Sequence, residues 1–105
     1  MKIERPLVLE ISRHEVPVGR PITVRVRDGG NRPIEGAIVE AGTKRERTDE
    51  RGRCEITFHS PGFWKLHAAK SPTDRVAYAP ASSLVRAVPR SRTGQRPGRV
   101  GPPTL

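Results

Sequence analysis

The chain has 105 residues and a mass of 11.6 kDa, enough for a single hydrophobic core and too little for two. Hydrophobic residues make up 33%, charged residues 30%, and Gly and Pro contribute 10 and 11 residues, which excludes a helix bundle and suits a small, turn-rich β protein. No apolar run approaches the ~20 residues of a membrane-spanning helix, and the net charge of +9 attracts polyanions or acidic partners while saying nothing about the fold.

Period-2 alternation runs through the sequence and predicts its strands in chain order. Leu7, Leu9 and Ile11 face one way with Glu10 outward. Val18-Gly19-Arg20-Pro21 introduces the clearest case, in which Ile22, Val24 and Val26 face inward and Thr23, Arg25 and Arg27 outward. The tight connection Asp28-Gly29-Gly30-Asn31 follows, because Gly and Asn tolerate positive φ. Ala37, Val39 and Ala41 form a smaller inward face. Neither face of Lys44-Arg45-Glu46-Arg47-Thr48 is apolar, so this stretch reads as a charged edge strand or a loop. In the turn Thr48-Asp49-Glu50-Arg51-Gly52, the Asp49 carboxylate is placed to accept backbone N–H bonds two or three residues on. Cys54, Ile56 and Phe58 then alternate with Arg53, Glu55 and Thr57; after Ser60-Pro61-Gly62 come Trp64, Leu66 and Ala68, with Lys65 and His67 outward. Two weaker strands, 75–79 and 84–88, lie on either side of Pro80.

Seven short strands with turns every ~8–12 residues predict an all-β, antiparallel, Greek-key sandwich over residues 6–88. Its expected core includes Val24, Val39, Ile56, Phe58, Trp64 and Leu66, with Trp64 at the centre. A hairpin closed at Ser60-Pro61-Gly62 sets Phe58 opposite Trp64, Ile56 opposite Leu66 and Cys54 opposite Ala68, and on the outer face Glu55 opposite His67. Residues 1–5 are expected to fray. From Pro89 the pattern fails: prolines and glycines surround Arg90, Arg92, Arg96 and Arg99 without an acidic residue, so residues 89–105 read as a disordered basic tail.

The chemistry-bearing residues do not assemble into an active site. Cys54 is the single cysteine, which precludes an internal disulfide and favours a reducing compartment. It shares the inward parity of Ile56 and Phe58, so it packs as a small hydrophobe with no histidine on its face. His59 and His67 share an outward parity near Glu55 and His14 lies apart, a set that falls short of the three or four convergent ligands of a metal site. Ser82 and Ser83 sit in no nucleophile-elbow pattern, and Gly29-Gly30 lacks the helix and lysine of a phosphate loop. Of four aromatic residues only Phe63 reads as an exposed ring, too little for a stacking platform. No signal peptide is read at the N-terminus, since the only apolar candidate, residues 7–11, contains Glu10. The chain is therefore expected in the cytoplasm, without cofactor or metal.

Four elements carry a family resemblance. Val16-Pro17-Val18-Gly19-Arg20-Pro21-Ile22-Thr23-Val24-Arg25-Val26 is similar to the run that leads into the second strand of bacterial and archaeal immunoglobulin-like repeats. Arg32-Pro33-Ile34-Glu35-Gly36-Ala37-Ile38-Val39, Thr48-Asp49-Glu50-Arg51-Gly52-Arg53 and Pro61-Gly62-Phe63-Trp64-Lys65-Leu66-His67-Ala68 match three further elements in the right order. Together, over residues 7–88, they resemble carboxypeptidase regulatory-like and bacterial Ig-like domains. The resemblance implies a prealbumin-like or Ig-like sandwich acting as an accessory module without catalysis, and it leaves a cell-surface location open. Two functions follow as expectations. The first is a structural or protein-interaction module, with sheet edges and the tail as contact surfaces and an unidentified protein as partner. The second is a nonspecific binder of nucleic acid or another polyanion through Arg90, Arg92, Arg96 and Arg99. A solvated tail without a partner, and an arginine-rich composition that reflects coding bias, stand beside the second. An enzyme ranks behind both.

Overall fold

The computed structural model describes residues 2–90. Among them are nine strands and no helix: β1 (Ile3–Ile11), β2 (Glu15–Pro17), β3 (Pro21–Asp28), β4 (Ile38–Ala41), β5 (Lys44–Arg47), β6 (Arg53–Thr57), β7 (Gly62–Ala69), β8 (Val76–Ala79) and β9 (Ala81–Val88). No helix long and apolar enough to cross a membrane is present among these residues. Tail residues 91–105, with Arg92, Arg96 and Arg99, lie outside the described residues.

The strands form two sheets, one in the order β6-β3-β1-β8 and the other β2-β9-β7-β4-β5. The all-β, two-sheet expectation therefore holds, with nine strands instead of seven. The charged stretch at Lys44–Arg47 is an edge strand, β5, beside β4. Glu15–Pro17 adds β2, a strand too short and too polar for alternation to reveal. The pairing is mixed, because β1 runs parallel to β8 and β2 parallel to β9. Both parallel pairs join the first part of the chain to the last. β1 and β2 sit in different sheets, and so do β8 and β9, so each end of the chain steps from one sheet to the other. Pro80 marks the second step. Nor does the N-terminal strand fray as expected: Ile3, Glu4 and Arg5 pair with Val76, Ala77 and Tyr78. β1 changes partner after Pro6, pairing with β8 before it and with β3 from Leu7 onward. A residue without an N–H suits such a change-over point.

The expected β6–β7 hairpin is overturned. β6 pairs with β3, setting Cys54 opposite Val24, Glu55 opposite Thr23 and Ile56 opposite Ile22. β7 pairs with β9 and β4 in the other sheet, setting Trp64 opposite Val85, Leu66 opposite Ser83 and His67 opposite Ser82. Alternation determines which side chains turn inward, but an inward face meets a neighbour equally well within a sheet or across the ~10 Å between two sheets. Here residues 58–61 carry the chain across that gap. Phe58 and Trp64 still meet, their rings stacked with centroids 5.1 Å apart and planes inclined at 26°.

The core lies between the sheets. Ile22, Val24, Val26 and Ile56 from one sheet meet Val39, Leu66, Ala68 and Val85 from the other, all buried, around Phe58, which is fully enclosed. Trp64 is not at the centre, contrary to expectation: it is half-buried and packs on the core from its margin. Its indole N–H needs an acceptor and donates to the Ser60 carbonyl at 3.1 Å. The ring covers the turn between β4 and β5, where a Cβ on Gly42 (φ +61°) would lie 2.8 Å from Cζ3 of the indole. A positive φ at the first loop residue is what a two-residue hairpin requires. Thr48, the buried residue after β5, closes the loop before β4: its Oγ1 accepts from Ala37 N–H at 2.8 Å and donates to the Ile34 carbonyl at 2.7 Å.

Candidate functional site

The outward positions of the four-stranded sheet gather arginine. On β3, the alternation that buries Ile22, Val24 and Val26 turns Arg25 and Arg27 outward. Register places Glu10 of β1, Arg25 of β3 and Arg53 of β6 in one cross-strand row. Arg51 stands at the entry to β6, and Arg27 lies opposite Val8 of β1.

Two aspartates hold the loops that frame this face. The Asp49 carboxylate accepts from the backbone N–H groups of Arg51 at 2.8 Å and Arg53 at 3.0 Å. Those two bonds, that to Arg53 first, hold its carboxyl below the usual Asp range. Gly52, at φ +73°, completes the turn. Asp28, buried at the end of β3, accepts from Arg32 N–H at 3.0 Å and Gly30 N–H at 2.8 Å, and the Arg5 guanidinium stands 3.6 Å away. The Arg32 bond is the chief cause that holds its carboxyl below the usual Asp range, the Gly30 bond and Arg5 adding to it. The loop so held carries Asn31 at φ 67° and brings Pro33 beside Arg27 in an isolated bridge.

Between these loops lies a cleft of about 380 Å³ lined by Arg25, Arg27, Arg51, Arg53, Asn31, Pro33 and Glu50. A second groove of about 390 Å³ shares Arg25 and Arg53 and continues over Glu10, Ile11, Ser12 and Thr23. Glu10 accepts from Arg27 at 2.9 Å and stands 3.7 Å from Arg25. The hydrogen bond from Arg27 is the main cause that lowers the Glu10 pKa, and its counterpart raises that of Arg27. Arg51 and Arg53 have no carboxylate within ion-pair distance among the described residues. Arg25 and Arg53 thus stand directly opposite each other as like charges, with Glu10 beside Arg25 and no carboxylate paired with Arg53, an arrangement that a further anion at Arg53 would favour. Guanidinium groups are donors only and stay charged at any ordinary pH, so the four arginines can bind and orient an oxyanion.

The outer face of the five-stranded sheet differs. Phe63 is 75% exposed and Leu84 58%. The Arg86 guanidinium lies 5.9 Å from the Phe63 ring centroid and its Nη1 3.6 Å from Glu15.

The residues singled out by sequence are dispersed. His59 and His67 are both exposed, and His67 faces Ser82 and Glu40 while Glu55 is in the other sheet. The ring of His14 lies 3.1 Å, by Nδ1, from the Leu84 carbonyl, at the step between sheets. No group of three or more His, Cys, Asp or Glu residues with metal-binding geometry occurs among the described residues. Cys54 is half-buried, and burial, reinforced by Glu46 and Asp49, pushes its thiol up to about 11, which leaves it a poor nucleophile. Of the tail arginines, Arg90 is described: it is exposed and its guanidinium lies beside Gly19, outside the arginine cleft. The cleft itself did not emerge from the sequence, although the outward parity of Arg25, Arg27 and Arg53 was plain. The β3–β6 register, which the hairpin expectation concealed, is what joins them. No family model matches the chain, and a search of curated proteins finds no match.

Proposed function

We propose that the chain is a non-catalytic β-sandwich interaction module that engages a polyanionic partner through the arginine face of its four-stranded sheet. The observation that carries this reading is the direct opposition of Arg25 and Arg53 in a cleft that also holds Arg27 and Arg51. Glu10 offsets part of the repulsion in the free protein, and an anion bound at Arg53 and Arg51 would offset the rest. The finer assignment, an Ig-like or prealbumin-like module of the carboxypeptidase regulatory-like type, rests on the four sequence elements. The all-β, two-sheet architecture is compatible with it.

Retention on heparin resin across a salt series tests the function. A chain carrying Arg25→Glu and Arg53→Glu is expected to elute at distinctly lower salt than the unaltered protein. A full-length chain with Arg90, Arg92, Arg96 and Arg99 all changed to Ser measures the second reading, in which the tail makes the contact. If the tail variant loses all retention and the cleft variant loses none, the contact belongs to the tail.

A further inference from the structure

We infer that the occupant of the arginine cleft is the phosphodiester backbone of nucleic acid, held by charge and shape without base readout. This inference rests on the polyanion-binding reading above and names its ligand.

The choice between nucleic acid and an acidic protein turns on what else the cleft contains. Protein–protein interfaces are anchored by aromatic and aliphatic side chains at a centre depleted of charge. The lining here is four arginines, Glu50, Asn31 and Pro33, and it offers only the proline ring as an apolar anchor. Of the exposed large apolar side chains, Phe63 and Leu84 lie on β7 and β9 in the other sheet, and Ile3 lies where β1 pairs with β8, outside the cleft lining. Nucleic-acid interfaces have the opposite make-up, far more polar and much more positive. A strongly basic chain, with a sequence pI of about 11.2, that brings four arginines into one cleft fits the electrostatic footprint of a phosphate binder.

Spacing supports the same ligand. Arg25 and Arg27 are two residues apart on one strand, which separates their roots by ~7 Å, and Arg53 lies across the sheet at about 5 Å. Long planar donor forks on such an array can each take a phosphate oxygen pair from successive nucleotides. No aromatic ring lines either groove, so bases find no stacking platform and the contact is indifferent to sequence. Glu10 has a positioning role: by pairing with Arg27 and standing near Arg25, it holds both at the cleft wall and leaves Arg51 and Arg53 uncommitted.

The test is a fluorescence-anisotropy titration of a labelled DNA duplex, in the full-length chain with the four tail arginines changed to Ser, from 50 to 200 mM salt. Three net phosphate neutralisations, the four arginines less the charge that Glu10 offsets, give a log–log salt slope of about −2.7, roughly a 40-fold loss of affinity over that range. Arg25→Ala and Arg53→Ala are each expected to flatten the slope by about one, equally for two duplexes of unrelated sequence. Arg53→Lys, which keeps the charge, should keep most of the slope, and so separates lost contact from lost structure. A polyglutamate peptide of equal charge is the second probe. If it binds as tightly as the duplex and responds to the same substitutions, the cleft is a polyanion site but not a nucleic-acid one, and the inference fails while the proposed function stands. A duplex slope unchanged by Arg25→Ala and Arg53→Ala, or no binding of either probe, overturns both.

Discussion

Gly52→Ala tests the turn that builds one cleft wall. Gly52 sits at φ +73°, where an alanine pays about 1–2 kcal/mol for its Cβ. That Cβ would also overlap the Val26 carbonyl oxygen and lie 3.1 Å from Ile34 N and 3.2 Å from Pro33 Cβ. The Val26 peptide cannot simply retreat. Its N–H donates to the Gly52 carbonyl at 2.7 Å, its carbonyl accepts from Ile34 N–H at 3.0 Å, and the residue is fully buried. Moving it leaves one buried group unpaired, at about 1–3 kcal/mol. The sum, roughly 2–5 kcal/mol, is a large part of the ~5–15 kcal/mol that holds a domain together. Urea denaturation followed by far-UV circular dichroism measures the loss, and the melting temperature should fall by roughly 10–30 °C. Gly29→Ala is the control: its Cβ meets only Pro6 Cγ at 3.9 Å, and the change should stay within about 0.5 kcal/mol. A Gly52→Ala protein as stable as the Gly29→Ala protein refutes the close approach of the 49–53 turn to β3.

Three further outcomes follow. Phe58 is fully enclosed, so Phe58→Ala should cost about 3–5 kcal/mol, whereas half-buried Trp64→Ala should cost about 2 kcal/mol; denaturant midpoints in the reverse order would return the indole to the centre. Arg53→Thr removes one of two opposed charges and should raise stability by about 0.2–1 kcal/mol at low salt while weakening polyanion retention; thermal melts at low and high salt read the effect, which screening should shrink. Asp28 and Asp49 both have folded pKa values depressed below 3.8, so the folded state binds fewer protons than the unfolded chain in acid. Their stabilising contribution is present above the unfolded value and is lost as pH falls through the folded ones. Melting temperature should therefore drop steeply below about pH 4 in the unaltered protein and less so in Asp49→Asn; identical acid limbs would contradict the bonds assigned to Asp49.

The sequence revealed the strands more readily than their neighbours. Ile22, Val24 and Val26 alternate cleanly because one face of β3 is buried and the other wet, and the charges of Lys44–Arg47 marked an edge because no central position tolerates them. Glu15–Pro17 left no such trace, since its only buried side chain is Val16. Alternation carries no information about pairing, and so the linker at Ser60-Pro61-Gly62 passed for a hairpin turn when it is a crossing between sheets. The same limit concealed the cleft. Arg25, Arg27 and Arg53 were each recognisably outward, but their meeting depends on β3 pairing with β6, a contact between segments some thirty residues apart. Trp64 was placed at the centre by its size and parity, yet its N–H draws it to the margin, where the Ser60 carbonyl is within reach.

A two-dimensional ¹⁵N–¹H NMR titration of the full-length chain with a short DNA duplex tests the arginine face most directly. Amide shifts should concentrate on Arg25, Arg27, Arg51 and Arg53 and on the loop around Asn31, and should leave Lys65 and Leu84 on the opposite sheet in place. Shifts confined to residues 89–105, or spread evenly over both sheets, would contradict the assignment of the contact to this face.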